Sequence, residues 1–165
     1  MKAKIERKAA KAAASEKDTL IADNRKAFHD YHILETFEAG IALLGTEVKA
    51  LRLGRANIAD AFIRISPKGP MLYHAHIAEY DFGNLNNHAT YRPRKLLLKQ
   101  AEIAKIAGEV QSGGAAIVPL KIYFKHGLAK CLLTVGKGKK QHDKRHDIKE
   151  RDAKREIARA MSRRK

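Results

Sequence analysis

AIVPLKIYFKHGLAKCLLTV, residues 116–135, decides the fold. Leu120, Ile122 and Phe124 alternate with Lys121 and Tyr123, the two-residue period of a strand with one face inward. Lys125-His126-Gly127 breaks the run, and Leu128 to Val135 resumes it, so the stretch reads as a β-hairpin. Working outward, Ala61 to Ser66 (AFIRIS) alternates in the same way. Pro67-Lys68-Gly69-Pro70 supplies a hairpin connection, and Met71 to Ile77 is the returning strand. Tyr31 to Leu44 reads as two short strands, or as one strand bent by a bulge at Ala39-Gly40. Gly45-Thr46-Glu47 offers a turn, with Thr46 as N-cap of a short helix that points Val48 and Leu51 inward and ends at Gly54. Gln100 to Ala107 has helical spacing, closed by Gly108. Six strands and two short helices in this length predict a mainly β chain folded as a small antiparallel barrel.

Charge divides the chain of 165 residues into three parts. Residues 1–19 form a charged N-terminal arm, and 20–136 hold almost all the large apolar side chains. Residues 137–165 carry thirteen Lys/Arg against five Asp/Glu, half of the chain's net +16. That last segment has only Ile148, Ile157 and Met161 as large apolar residues, too few to offset its ordering entropy. It is therefore expected to be disordered alone and to fold against a polyanion. Asp147/Arg151 and Glu150/Lys154 stand four apart, and Ala153, Ile157, Ala160 and Met161 share one helical face, so a helix is the expected bound form. No apolar run is long enough to span a membrane, and no apolar stretch follows the basic N-terminus as in a signal peptide. The single cysteine, Cys131, excludes an intrachain disulfide, fits a reducing cytoplasm, and reads as a small buried hydrophobe.

Several motifs bear on chemistry. Gly136-Lys137-Gly138-Lys139-Lys140 lacks the Ser or Thr of a phosphate-binding nucleotide loop, which excludes nucleotide hydrolysis. It reads as a flexible hinge whose three lysines meet phosphates. Tyr91 to Leu98 (YRPRKLLL) sets Arg92, Arg94 and Lys95 beside a stacking ring, and Asn87 and His88 just before it offer donors and acceptors to base edges or 2′-hydroxyls. Glu38 is placed to accept from a nucleobase edge. His74 and His76 share a strand face, and His142 and His146 a helix face, but neither pair has further ligands at metal-site spacing. No metal, cofactor or catalytic residue is expected.

Together these segments resemble the small protein B family, the SsrA-binding proteins of bacterial trans-translation. The resemblance rests on Asn24–Tyr31 (NRKAFHDY), Glu38–Gly40 with Gly45–Arg52 (EAG…GTEVKALR), Asn87-His88 with Arg94–Leu98 (NH…RKLLL), and Gly138–Arg145 (GKKQHDKR) running on to Arg151. It covers about residues 21–161. It implies an oligonucleotide-binding-like barrel with two to three flanking helices and a C-terminal tail unstructured in solution. It implies a protein without catalysis that binds the tRNA-like domain of transfer-messenger RNA and brings it to stalled ribosomes. The tail then occupies the empty mRNA channel near the decoding centre. The family's RNA contacts fall on Glu38, Leu97 and Lys99, and its ribosome-linked tail positions on Gly138, Lys139, Asp143, Lys144 and Arg145.

Three departures carry expectations of their own. Gly136 replaces the alanine usual at the hinge and implies a looser junction. Ala153 and Ala160 replace larger tail residues and leave Ile157 and Met161 as apolar anchors. Lys99 stands in place of Asn or His. The expected partners are therefore transfer-messenger RNA, through Glu38, Asn87, His88, Arg94, Lys95, Leu97, Lys99 and Lys137, and the ribosome, through Gly138, Lys139, Lys140, Asp143, Lys144, Arg145, Ile157 and Met161. The protein is expected to be a cytoplasmic monomer that binds no membrane. Two other readings stay open: a constitutive ribosomal structural protein, and a metal-dependent RNA-processing enzyme built on His74 and His76.

Overall fold

A computed structural model describes residues 19–111 and 113–140, together with Ala153, Glu156 and Met161. In chain order, β1 (Thr19–Asp23) leads to α1 (Arg25–Asp30), β2 (Tyr31–Ile41), α2 (Gly45–Arg52) and β3 (Ala56–Asn57). Then come β4 (Phe62–Ser66), β5 (Gly69–Tyr73), β6 (His76–Ile77), a 3₁₀ turn (Asn84–Asn86) and β7 (Arg94–Leu97). The described core ends with α3 (Gln100–Gln111), β8 (Ala115–Lys125) and β9 (Leu128–Gly138).

The hairpin read from residues 116–135 is β8–β9, and it closes the barrel. Hydrogen bonding runs β8-β4-β5-β7-β2-β9, and β9 returns to β8, so six antiparallel strands form a ring. The expected barrel is there, but the described residues build three strands beyond it. β1 adds to the far end of β8, with Thr19 opposite Phe124. β3 and β6 pair into a separate ribbon. The returning strand expected over Met71–Ile77 is split between two sheets, because His74 takes φ +55° and turns the chain out of β5 before β6 begins. A closed ring leaves little free edge, the usual hazard of exposed strands.

Tyr31–Ile41 is one strand rather than two. Its bulge falls between Ile33 and Glu35, not at Ala39-Gly40, and Gly40 keeps pairing with both Lys130 and Leu97. A Cβ at Gly40 would lie 3.4 Å from that of Leu97, so the glycine lets β7 approach. The predicted helix after Leu44 is α2. It starts at Gly45 with Leu44 at the N-cap, two positions earlier than the expected Thr46. Residues 94–97 are strand, and the helix after them continues past Gly108 to Gln111.

The core is the barrel interior. Phe37, Ala39, Ile63, Leu72, Leu96, Ile117, Ile122, Cys131, Leu133 and Val135 are all buried, and Ile106 of α3 packs against them. Each fully buried Leu or Ile contributes about 1.5–3 kcal/mol. Burial pushes the Cys131 thiol up to about 12, which removes it as a nucleophile at neutral pH. Asn24 ties the N-terminal elements down. Its Oδ1 accepts from the Ala27 N–H at 3.1 Å, while its Nδ2 donates to the Ile58 and Pro119 carbonyls at 3.1 and 3.0 Å.

Candidate nucleic-acid interface

Strand alternation sorts the outer face of β7, β2, β9 and β8. Arg94 and Leu96 point inward and are buried, so Lys95 and Leu97 point outward and are exposed. Across the ladders lie Glu38 opposite Leu132, Gly40 opposite Lys130, Lys130 opposite Tyr123, and Leu132 opposite Lys121. The result is one continuous surface bearing Lys95, Lys121, Lys125 and Lys130, with Leu97 (56% exposed) and Tyr123 among them. Four lysines and a phenol on the outer face of the barrel suit a phosphate backbone.

Glu38 sits in the middle of this surface. Its Oε2 accepts from the Tyr123 hydroxyl at 2.5 Å and from Lys125 Nζ at 3.1 Å, and Lys130 Nζ lies 3.6 Å from Oε1. The Tyr123 hydrogen bond first, then Lys125, hold its carboxyl below the usual carboxylate range. A fixed anion among cations can select the donor edge of a base where lysines alone would take any phosphate. Tyr123, Lys125 and Lys130 were not picked out by their residue types. The alternation of Lys121 and Tyr123 with Leu120 and Ile122 was the signal that marked this face.

Three predicted RNA-contact residues are engaged elsewhere. Arg94 is fully buried: its Nε donates to Glu47 Oε1 at 2.8 Å, Nη1 to the Ala75 carbonyl at 2.5 Å, and Nη2 to the Thr90 carbonyl at 3.0 Å. Asn87 clamps Tyr80, accepting from its N–H at 3.1 Å and donating to its carbonyl at 3.0 Å. His88 is buried, with Nε2 3.2 Å from the Ile77 carbonyl and Nδ1 3.0 Å from the Thr46 hydroxyl. The Ile77 carbonyl can only accept, so Nε2 is the donor in that contact. These residues shape the 78–93 loop rather than face solvent.

Glu47 organises that loop. It is fully buried and also accepts from Arg92 Nε at 2.8 Å, Arg92 Nη2 at 2.6 Å and the Leu44 N–H at 2.7 Å. Burial pushes its carboxyl up, but the bonds from Arg92, Leu44 and Arg94 outweigh this and leave it below the usual range.

The expected flexible hinge is ordered strand at its start. Gly136 is buried, paired with Ile33 and Ala116, and a Cβ there would meet Tyr31 Cβ at 3.1 Å and the His32 carbonyl at 3.3 Å. The glycine therefore tightens the approach of β2 rather than loosening the junction. Lys137 and Gly138 are exposed and continue β9, two residues past the boundary expected at 136. The Lys139 N–H donates to the Asp30 carbonyl at 2.8 Å and its Nζ to the Phe28 carbonyl at 3.0 Å, stapling the strand's end to α1. Lys99 and Lys140 are exposed. Asp143, Lys144, Arg145 and Ile157 lie outside the described residues, as does most of the segment expected to be disordered. Ala153, Glu156 and Met161 are helical and exposed. Among the described residues no helix is long and apolar enough to cross a membrane, and no three His, Cys, Asp or Glu side chains converge as metal ligands.

A closed β-barrel with a lysine-lined outer face and a central carboxylate places the chain in the class of small RNA-binding barrel proteins. The SmpB protein family model matches residues 21–163. An SsrA-binding protein of Bacillus cereus is 56% identical over 142 residues, covering 86% of this chain and 92% of its own. SsrA-binding proteins of Bacillus anthracis and Bacillus thuringiensis are each 54% identical over the same shares. Among solved structures, one described as "tmRNA-SmpB: a journey to the center of the bacterial ribosome" contains a chain with 48% identity and a TM-score of 0.61, covering 72% of this chain and 84% of that one. The chain belongs to the SmpB family.

Proposed function

We propose that the protein is an RNA-binding adaptor of trans-translation. Its barrel holds the tRNA-like domain of transfer-messenger RNA, and the segment beyond Lys140 engages the decoding centre and mRNA channel of a stalled ribosome. The observation that carries the reading is Glu38, a carboxylate fixed by Tyr123 and Lys125 at the centre of a lysine face. Its relatives' description as SsrA-binding proteins supports it. Glu38, Lys95, Leu97 and Lys99 make the direct contacts, joined by Tyr123, Lys125 and Lys130, while Asn87, His88 and Arg94 act by holding the neighbouring loop. Lys137 and Lys140 meet phosphates at the root of the tail. Asp143, Lys144, Arg145, Ile157 and Met161 supply the ribosome-bound segment. The adaptor works in the cytoplasm as a monomer, by binding alone.

The test has two arms. Capture of the protein from cells with sequencing of its RNA is expected to return one dominant species with a tRNA-like acceptor end. Stoichiometric recovery on actively translating ribosomes would instead mark a constitutive ribosomal protein. A chain ended after Lys140 keeps β9 and the Lys139 bonds. It is expected to keep selecting that RNA, with a shallower salt slope for the cations removed, and to lose rescue of stalled ribosomes. Equal loss of both would sink this division of labour.

A further inference from the structure

The β3–β6 ribbon carries a cleft that shares no residue with the lysine face. It measures about 410 Å³ and is lined by Asn57, Ala59, Asp60, His74, His76 and Tyr91. That volume falls in the range of small-ligand sites, roughly 300–1,000 Å³.

Its walls are flat rings. His76 and Tyr91 stand 5.0 Å apart between centroids at 55°. His74 leans on Phe62 at 5.4 Å, and Phe62 stacks on Tyr73 at 5.5 Å and 15°. The Arg64 guanidinium lies 5.2 Å from the Phe62 ring. The His74 ring is thus braced from behind while its residue remains exposed. Its backbone is at φ +55°, a region that costs a non-glycine residue roughly 1–2 kcal/mol. Glycine would make the same turn without that cost. A braced ring kept in a strained position points to work done by the side chain.

The polar groups are equally placed. Asn57 Oδ1 accepts from the Ala59 N–H at 2.9 Å, which leaves its amide N–H₂ as the group to offer. Asp60 Oδ1 takes Lys26 Nζ at 2.9 Å, and its second oxygen remains an acceptor. A slot with rings on its walls, a carboxylate and an amide donor has the chemistry of a flipped-out base. Guanine fits best, since its N1–H and N2–H₂ donate together to a carboxylate while its O6 accepts.

We propose that this cleft is a second RNA site that takes one unstacked nucleobase, with guanine preferred. The proposal rests on the RNA-binding reading above but concerns a different surface. The test is an NMR titration of the full chain with guanosine monophosphate, adenosine monophosphate and inorganic phosphate at millimolar concentration. Guanosine monophosphate is expected to shift His74, His76, Asn57 and Tyr91 saturably, adenosine monophosphate to bind more weakly, and phosphate to leave them unmoved. Tyr91→Ala and His74→Gly are each expected to weaken binding roughly tenfold. His74→Gly also relieves the backbone, so its loss of binding would not reflect misfolding. Shifts confined to the lysine face, equal response to phosphate, or unchanged binding by His74→Gly would overturn the site, and equal response to both nucleotides would overturn the guanine preference. Glu38→Gln is expected to leave this titration unchanged while altering capture of large RNA, so the two readings fail separately.

Discussion

Replacing Glu47 by Gln tests the account of the 78–93 loop directly. The substitution keeps size and shape but removes the charge that faces Arg92 and the fully buried Arg94. Breaking one side of a buried ion pair costs about 3–5 kcal/mol, because the remaining charge is left without compensation. For a chain of this size each kcal/mol moves the melting temperature by about 2–4 °C, so a drop of roughly 6–20 °C is expected. Thermal and urea unfolding followed by circular dichroism would measure it, with an unchanged urea slope if the denatured state is unaffected. The pH dependence gives a second readout. The folded-state carboxyl is held below its ordinary value. Its contribution is therefore present above the unfolded value, about 4.3, and is lost as pH falls through the lower folded value. The gap between parent and variant is expected to be full at pH 7 and to shrink on acidification below about pH 4.3. Replacing Arg94 by Met in the variant should recover part of the loss, since the fully buried cation is removed and only the partly exposed Arg92 is left without its carboxylate. A cost under about 1 kcal/mol, or a gap that stays constant from pH 7 to pH 3, would refute the reasoning.

Asn24→Ala should cost about 2–4 kcal/mol in chemical denaturation, since the α1 cap is lost and two buried carbonyls lose their donor. Asn24→Asp should do no better at neutral pH, because it keeps the cap but faces both carbonyls with an anion. Gly136→Val should destabilise by about 1–3 kcal/mol, read as a lower melting temperature, as its side chain meets the β2 backbone. Glu38→Gln frees Lys125 and Lys130, so affinity for unrelated RNA should rise with a steeper salt slope while discrimination for the tRNA-like domain falls, in filter binding across salt concentrations. A uniform fall for both RNAs would count against a selective carboxylate.

Local pattern was enough for β8, β9, β4 and α2, since each rests on periodicity or on turn chemistry within a few residues. It failed for β1 and α1, which no reading placed. β1 is five residues long and takes its partner from β8, a hundred positions away. α1 is six residues long and depends on an Asn24 whose own partners sit 34 and 95 residues along the chain. Arg94 misled for the same reason. In sequence it is one more base beside Arg92 and Lys95, and only the fold brings Glu47, 47 positions earlier, to pair with it. The candidate site divides likewise. Glu38 and Lys95 were singled out by residue type and Leu97 by the family resemblance, whereas the grouping of Tyr123, Lys125 and Lys130 around Glu38 needed the β2–β9–β8 register.

That register has a mechanical side. The β2–β9 ladder places Glu38 beside Leu132 and Tyr31 beside Gly138, at two stations on one continuous ribbon. Seven residue steps along β2 separate them, a span of about 23 Å. The ribbon is a ruler: whatever the Glu38 station grips is held at a set distance from the point where the chain departs, and the Lys139 bonds to α1 pin that departure point.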